Sequence, residues 1–282
     1  MPMLSLLFGS IVGVSLGLTG GGGAIFAVPL LVYGLSVGTR EAVTVSLVSV
    51  GLTSFVGFLN KWRHGHVELQ TGILFAVAGM LGAPVGSWTA RQIPETALMI
   101  LFAVLMLAIA VRMWMKAGQA ARMVVACAPG DPSDRDVASF TTDGPSCQRD
   151  ASGRLIVNSR CARLLIIVGI LSGVMAGMFG VGGGFIIVPA LVLFSSMSMI
   201  RAVGTSLMVI SMVSVSGVTS QLWTGTQIPW ELTGLFVAGG LAGLFAGQSI
   251  SHHLSSVMLQ RMFSIAILLV AVFVISRNIV HG

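Results

Sequence analysis

Two glycine runs, Thr19-Gly20-Gly21-Gly22-Gly23-Ala24 and Phe179-Gly180-Val181-Gly182-Gly183-Gly184, could do chemistry without any reactive side chain. Each interrupts strongly apolar sequence, and each leads into a short apolar stretch that reaches Pro29 or Pro189. Glycine has no Cβ, breaks a helix and bares its backbone. Consecutive glycines expose successive N–H groups, and a helix starting just after them turns its positive end towards the break. That arrangement binds an anion without a charged side chain. Gly20, Gly21, Gly22, Gly23, Gly180, Gly182, Gly183 and Gly184 are therefore candidate substrate ligands. A plain kink is the competing reading. Nucleotide readings fail, because no Lys-Ser/Thr follows the glycines and no strand precedes them.

Hydroxyls supply the other candidate donors. Thr44, Ser46, Ser49, Thr53 and Ser54 sit at depths that match Thr205, Ser206, Ser211, Ser214 and Ser216. Most such hydroxyls bond their own helix carbonyls, but Ser46 and Ser206 recur in register near the breaks and join the candidate site. Arg40 and Arg201 could attract anions, although anchoring at the membrane surface is the favoured reading of both. No Asp, Glu, Lys or Arg falls in the middle of an apolar segment, so a proton or sodium relay through a buried carboxylate has no support. His64, His66, His252 and His253 have no acidic or cysteine cluster beside them and read as solvated loop residues. Cys127, Cys147 and Cys161 match no zinc spacing and read as free thiols. No metal or other cofactor is expected.

The elements that hold these residues are membrane helices. The 282 residues are 55% hydrophobic and 9% charged, with a mean hydropathy of +0.97, which places the chain among polytopic membrane proteins. There is room for about eight spans of ~20 residues. The first apolar segment has no basic leader and returns in the second half, so we expect it to be structural and not a cleaved signal. The net charge of +6 fits loops facing the cytoplasm and does not suggest nucleic acid as a partner. The lipid bilayer and a small anionic substrate are the expected partners.

An internal repeat organises the chain. At an offset of 160, Gly9, Gly13, Gly17, Gly20, Gly22, Gly23 and Pro29 meet Gly169, Gly173, Gly177, Gly180, Gly182, Gly183 and Pro189. Ala42-Val43 and Ser46-Leu47 meet Ala202-Val203 and Ser206-Leu207, and one added residue later brings Gly79, Gly82 and Gly86 onto Gly240, Gly243 and Gly247. We therefore divide the chain into a first transmembrane repeat over 1–115, a polar linker over 116–160 and a second repeat over 161–282. All five aspartates lie in the linker with several Pro and Gly, a composition that predicts little regular structure. Glycines spaced by four, such as Gly9/Gly13/Gly17, Gly82/Gly86 and Gly243/Gly247, read as helix-packing seams and stay outside the candidate site.

Two topologies follow from the breaks. If the glycine segments span, 11 of the 15 Lys and Arg share the linker side. If they are re-entrant hairpins, the halves become inverted and the linker side holds 12. The positive-inside rule does not separate these models. We take the spanning model as the expectation.

The paired glycine runs, each followed by an apolar stretch and Pro, and Ala-Val-x-x-Ser-Leu at Ala42 to Leu47 and Ala202 to Leu207, resemble the sulfite exporter TauE/SafE family of membrane permeases. The resemblance covers both halves and omits the linker. It implies a secondary carrier in the plasma membrane for sulfite, sulfoacetate or another small organosulfur or organic anion. Gly21 faces Val181 and Ala24 faces Gly184, so the two half-sites are not equivalent. The expected fold is all-α and integral to the membrane, with about eight segments in two four-segment repeats, the first segment of each broken by glycines. A membrane-embedded enzyme would need an intramembrane acid, base or metal cluster; a scaffold or sensor would work through the linker.

Deleting Pro129 to Gly153 should leave insertion and anion flux largely intact, because a segment of this composition contributes little packing. A variant that inserts normally but transports nothing would favour the scaffold reading.

Overall fold

The structure is a computed structural model that describes residues 2–21, 23–65, 67–94, 96–98, 100–102, 104–105, 107–108, 111, 148–149, 155–156, 159–180, 184, 187–188, 191, 199–223, 229–251 and 268. Its helices are α1 (Pro2–Thr19), α2 (Ala24–Pro29), α3 (Thr39–Arg63), α4 (Leu69–Gln92), α5 (Ser159–Phe179), α6 (Met199–Trp223) and α7 (Trp230–Ser251). Of the linker, Gln148–Arg149 and Leu155–Ile156 pair as a short antiparallel ladder, and most of the rest lies outside the described residues. The segments around Ala97 to Trp114 and Val257 to Ser276 are described in part or at single positions.

Among the described residues, five helices are long and apolar enough to cross a bilayer: Thr39–Arg63, Leu69–Gln92, Ala162–Phe179, Arg201–Trp223 and Trp230–Ile250. Their outward faces stay apolar, with Leu81, Trp88, Val215 and Phe245 exposed, as lipid-facing positions require. Met3–Thr19 and Ala24–Gly34 are shorter apolar helices. Pro29 has no N–H to give to the Ile25 carbonyl, and the helix widens there into a π-turn over Leu30–Gly34, a usual consequence of an interrupted hydrogen-bond ladder. Pro84 makes the same omission inside α4, and the Met80 carbonyl it leaves accepts a bond from the Ser216 hydroxyl of α6 at 2.8 Å.

Helix directions follow from which residues touch. Gly13 and Gly17 of α1 rest on Gly240 and Leu244 of α7, so these helices run the same way. Gly173 and Gly177 of α5 rest on Gly79 and Ala83 of α4, again in parallel. By contrast, Gly51 meets Ser214 and Gly57 meets Leu207, so α3 and α6 run in opposite directions. Gly72 lies by Thr205 and Ser87 by Ser220, while Gly240 lies by Thr53 and Asn60 by Gln248. Thus α1, α3 and α7 point one way, and α4, α5 and α6 point the other.

This settles the first glycine segment. Since α1 and α3 run the same way, the chain must return between them, and it does so along α1. Gly23 packs on Val12 and Leu16, and Gly34 on Phe8. The expected spanning segment is therefore a re-entrant hairpin. A positive φ of 74° at Gly20 turns the chain back, a reversal that charge counts do not register. In the second half α5 and α6 also run the same way, and Gly180 has a φ of 69°. The helices α3 and α6, 160 residues apart in register, are antiparallel.

The two halves interlock. The first helix of each lies on the third long helix of the other, α1 on α7 and α5 on α4, through seams of small residues whose backbones touch. Such seams suit lipid, where close van der Waals approach replaces hydrophobic driving force. A side chain at Gly86 would enter the Val174 carbonyl, and one at Gly247 the Val14 carbonyl. Gly86→Leu or Gly247→Leu should therefore lower the yield of monodisperse folded protein several-fold, because overpacking against backbone costs at least about 1–3 kcal/mol; size-exclusion profiles of detergent extracts are the measurement.

Candidate functional site

The two glycine breaks come together at the centre of the bundle. Gly20 and Gly180 adopt left-handed φ values of 74° and 69°, a region that L side chains rarely enter. Space forbids a side chain as well, since a Cβ at Gly20 would stand 2.7 Å from Val203 Cα, and one at Gly180 the same distance from Val43 Cα. Val43 and Val203 are themselves 160 apart. The tips also touch each other, with a Cβ at Gly184 falling 2.7 Å from Gly21 Cα. Gly23 has already turned away onto α1. Gly22, Gly182 and Gly183 lie outside the described residues.

Ser46 and Ser206 join the tips across the halves. The Ser46 hydroxyl donates to the Gly180 carbonyl at 2.7 Å, and the Ser206 hydroxyl to the Gly20 carbonyl at 2.7 Å. Ser206 also lies 2.8 Å from the Val203 carbonyl. Both serines are wholly buried. A hydroxyl that has given its proton to a carbonyl keeps only acceptor capacity, so in this conformation the two serines brace the tips and have no donor left for an anion. The N–H groups of Gly20 and Gly180 are also committed, to Leu16 and Ala176 at 2.7 and 2.9 Å. The predicted ligands converge, but the polar groups of these four are already taken by one another and by carbonyls of their own helices.

Unpartnered donors lie elsewhere in the bundle. The hydroxyls of Ser49, Ser54, Thr71 and Ser214 are buried with no hydrogen-bond partner, as is Nε2 of Gln248. Leaving a buried donor unsatisfied costs roughly 1–3 kcal/mol, so such groups mark places where water or a ligand belongs. Ser54 and Ser214 are 160 apart, and Ser214 faces Gly51 on the seam between α3 and α6. The repeat register carried that signal. Other hydroxyls follow the ordinary rule: Thr44, Thr53 and Ser211 bond carbonyls of their own helices at 3.1, 2.7 and 2.8 Å.

Arg40, expected at the surface, also lines a small open cavity of about 30 Å³, together with Thr39, Ser87, Arg91, Met178 and Gln221. Arg91 Nη2 reaches Gln221 Oε1 at 3.4 Å, and the Ser87 and Ser220 hydroxyls are 2.6 Å apart. Sequence reading missed Arg91, Ser87 and Gln221, which meet only when α4 and α6 pack side by side. Arg201 stands exposed at the start of α6. No group of three His, Cys, Asp or Glu able to hold a metal occurs among the described residues, and His64 bonds the Asn60 carbonyl through Nδ1 at 2.7 Å.

Long apolar helices, glycine breaks between interlocked halves and a buried polar centre define a multi-pass membrane transporter. The chain belongs to the sulfite exporter TauE/SafE family, whose model matches residues 5–274. It is 31% identical over 274 residues to a probable membrane transporter protein of Xylella fastidiosa (strain Temecula1), covering 96% of this chain and 93% of that one. It is also similar to two probable membrane transporter proteins of Bacillus subtilis, YunE at 24% identity with 98% of each chain covered, and YdhB at 22% with 92% and 94% covered. No solved structure matches it.

Removing either brace hydroxyl leaves a buried tip carbonyl without its partner. Ser46→Ala and Ser206→Ala should each destabilise the protein by about 1–3 kcal/mol, read as a lower melting temperature in detergent, with the double variant lower still. Wild-type melting in both single variants would show that the tips are held by packing alone.

Proposed function

We propose that this chain is a secondary transporter of the plasma membrane that moves a small anion, sulfite or a small organosulfonate, with the 116–160 linker on the cytoplasmic side. Meeting of the two glycine tips at the bundle centre is the observation that carries the reading. Irregular backbone at membrane depth is tolerated where it is buried in protein or lines a cavity, and paired breaks between two halves are where carriers bind their cargo. The family supports transport of such an anion, as do the absence of midspan charges in the sequence and the unpartnered donors buried in the bundle.

In this reading Gly20, Gly21, Gly22 and Gly23 with Gly180, Gly182, Gly183 and Gly184 form the substrate site when the tips part. Ser46 and Ser206 then release their carbonyls, and their hydroxyls turn to the cargo. Halves 1–115 and 161–282 each contribute one tip, and alternating access is a change in which tip faces water. Movement of a tip exchanges one set of hydrogen bonds for another, so no buried charge is exposed or created.

The test is flux of a panel of small anions in proteoliposomes, run with and without a pH gradient. Sulfite or a small sulfonate should move, and Gly22→Leu or Gly182→Leu should abolish that movement in protein that still inserts. Wild-type flux in both variants would make the runs structural kinks. No flux of any anion through the wild-type protein would favour a scaffold or sensor.

A further inference from the structure

We propose that Lys61 and Gln248 form a binding site for a small oxyanion at the linker end of the bundle, an assignment that takes its ligand from the transporter reading and names where that ligand is held on the linker side. Helix packing positions both residues. Gly57 of α3 lies against the Leu244 side chain of α7, and Lys61 and Gln248 each stand about one turn further along these parallel helices. The amide of Asn60, next to Lys61, donates to Gln248 Oε1 at 2.6 Å and fixes the level at which the two helices meet. Gly17, three residues before the first tip, rests on the Gln248 backbone, where a Cβ would stand 3.0 Å from the nitrogen. Beneath lies a buried apolar cluster of Leu16, Val203, Leu207 and Leu244, and Val203 packs on Gly20. One apolar layer therefore separates the site from the break.

Both groups turn into protein and lack a counterpart there. Lys61 is 9% exposed, whereas Trp62 beside it is 51% exposed and Arg63 and His64 also face outward. A lysine that anchors a helix end carries its ammonium out towards the headgroups; this one lays its stem inside the bundle. Among the described residues no hydrogen bond or ion pair holds that ammonium. Gln248 is 6% exposed, and its Nε2 has no acceptor. Because Asn60 already holds Oε1, the donor end of the amide is the end left for a ligand. Two buried donors without an acceptor call for an anion. An ammonium is a compact point charge and an amide N–H a directional donor, so together they suit two oxygens of one small oxyanion.

The repeat provides an internal comparison. Lys61 corresponds to Gln221 and Asn60 to Ser220 at an offset of 160, and Ser87 corresponds to Gln248 at 161. At the end of the bundle away from the linker this frame is satisfied from within. Gln221 accepts from Arg91 at 3.4 Å, and the Ser87 and Ser220 hydroxyls pair at 2.6 Å. Cation and amide are complementary there, one donating and the other accepting. At the linker end the cation sits on α3 and the amide nitrogen faces no acceptor, so neither group can satisfy the other. The positive-inside rule accounts for a lysine on the linker side. It does not account for a lysine turned inward beside a second buried donor. Low-dielectric walls focus such a charge on an arriving anion.

Lys61 and Lys116 are the only lysines of the chain, which makes the site directly observable. Full-length protein carrying lysine labelled with carbon-13 at Cε gives two NMR signals in detergent, assigned with Lys116→Arg. Sulfite or ethanesulfonate should shift the Lys61 signal saturably and leave that of Lys116 in place, and chloride at matched ionic strength should shift neither. Gln248→Glu keeps an acceptor for Asn60 but sets a carboxylate against the ammonium, so anion affinity should fall by more than about tenfold. If that variant fails to fold, Lys61→Gln takes its place, with loss of anion binding read by calorimetry. A Lys61 signal indifferent to both anions, an equal shift with chloride, or unchanged affinity in the variant would overturn the proposal. So would a shift produced by phosphatidylglycerol in the micelles that sulfite does not displace, since the site would then hold a lipid headgroup. Flux of the same anions in proteoliposomes separates the two readings. Binding at Lys61 without flux keeps the site and rejects transport, whereas flux with a silent Lys61 rejects the site alone.

Discussion

Backbone carbonyls and N–H groups freed inside a membrane protein must find partners within the protein, and this fold is arranged around that need. Each glycine break turns the chain through a left-handed residue and leaves a carbonyl pointing away from its own helix. The other half of the molecule supplies the donor, Ser46 for Gly180 and Ser206 for Gly20. The same solution appears at Pro84, where the unclaimed Met80 carbonyl is met by Ser216. Every one of these bonds crosses from one half to the other. Polar satisfaction and assembly of the halves are therefore one event, and neither half could bury its break alone without an orphaned carbonyl.

Small residues make that reciprocity possible. Glycine seams bring α1 onto α7 and α5 onto α4 until backbones touch, and this brings each glycine tip within reach of the other half's serine. Close seams between rigid helices leave few ways to move. The tips, by contrast, are held by single hydroxyl bonds and by contact between Gly21 and Gly184. Stiff seams with weakly latched tips are the physical requirement for a carrier that changes access without unfolding its core.

Much of this was legible in the residue order. Apolar content and low charge set the membrane class, and the paired glycine runs marked the breaks. Register at an offset of 160 singled out Ser46 and Ser206, which do meet the breaks. Their use differs from the expectation, since each hydroxyl goes to a carbonyl and not to a ligand in this conformation. Spacing by four marked seam glycines such as Gly86 and Gly247, which lie against neighbouring carbonyls, and Gly23 of the first run lies against the Val12 carbonyl in the same way.

Composition and local pattern determined the membrane class, the apolar helices and the positions where the first helix must break, because these depend on short-range properties: hydropathy, the missing Cβ of glycine and the missing N–H of proline. Tertiary structure alone decided that the first break is a hairpin, that α3 and α6 run antiparallel, and that each half's serine serves the other's tip. It also decided that Arg40 and Arg91 share a cavity. The reason is that 11 apolar residues from Ala24 to Gly34 have the same hydropathy whether they run onward or fold back, and the charge counts of the two topologies differ by one residue. The direction is set by what the returning segment packs against. For that, Gly23 needs the backbone of Val12 and Leu16, and Gly180 needs a hydroxyl 134 residues away, contacts that no local pattern encodes.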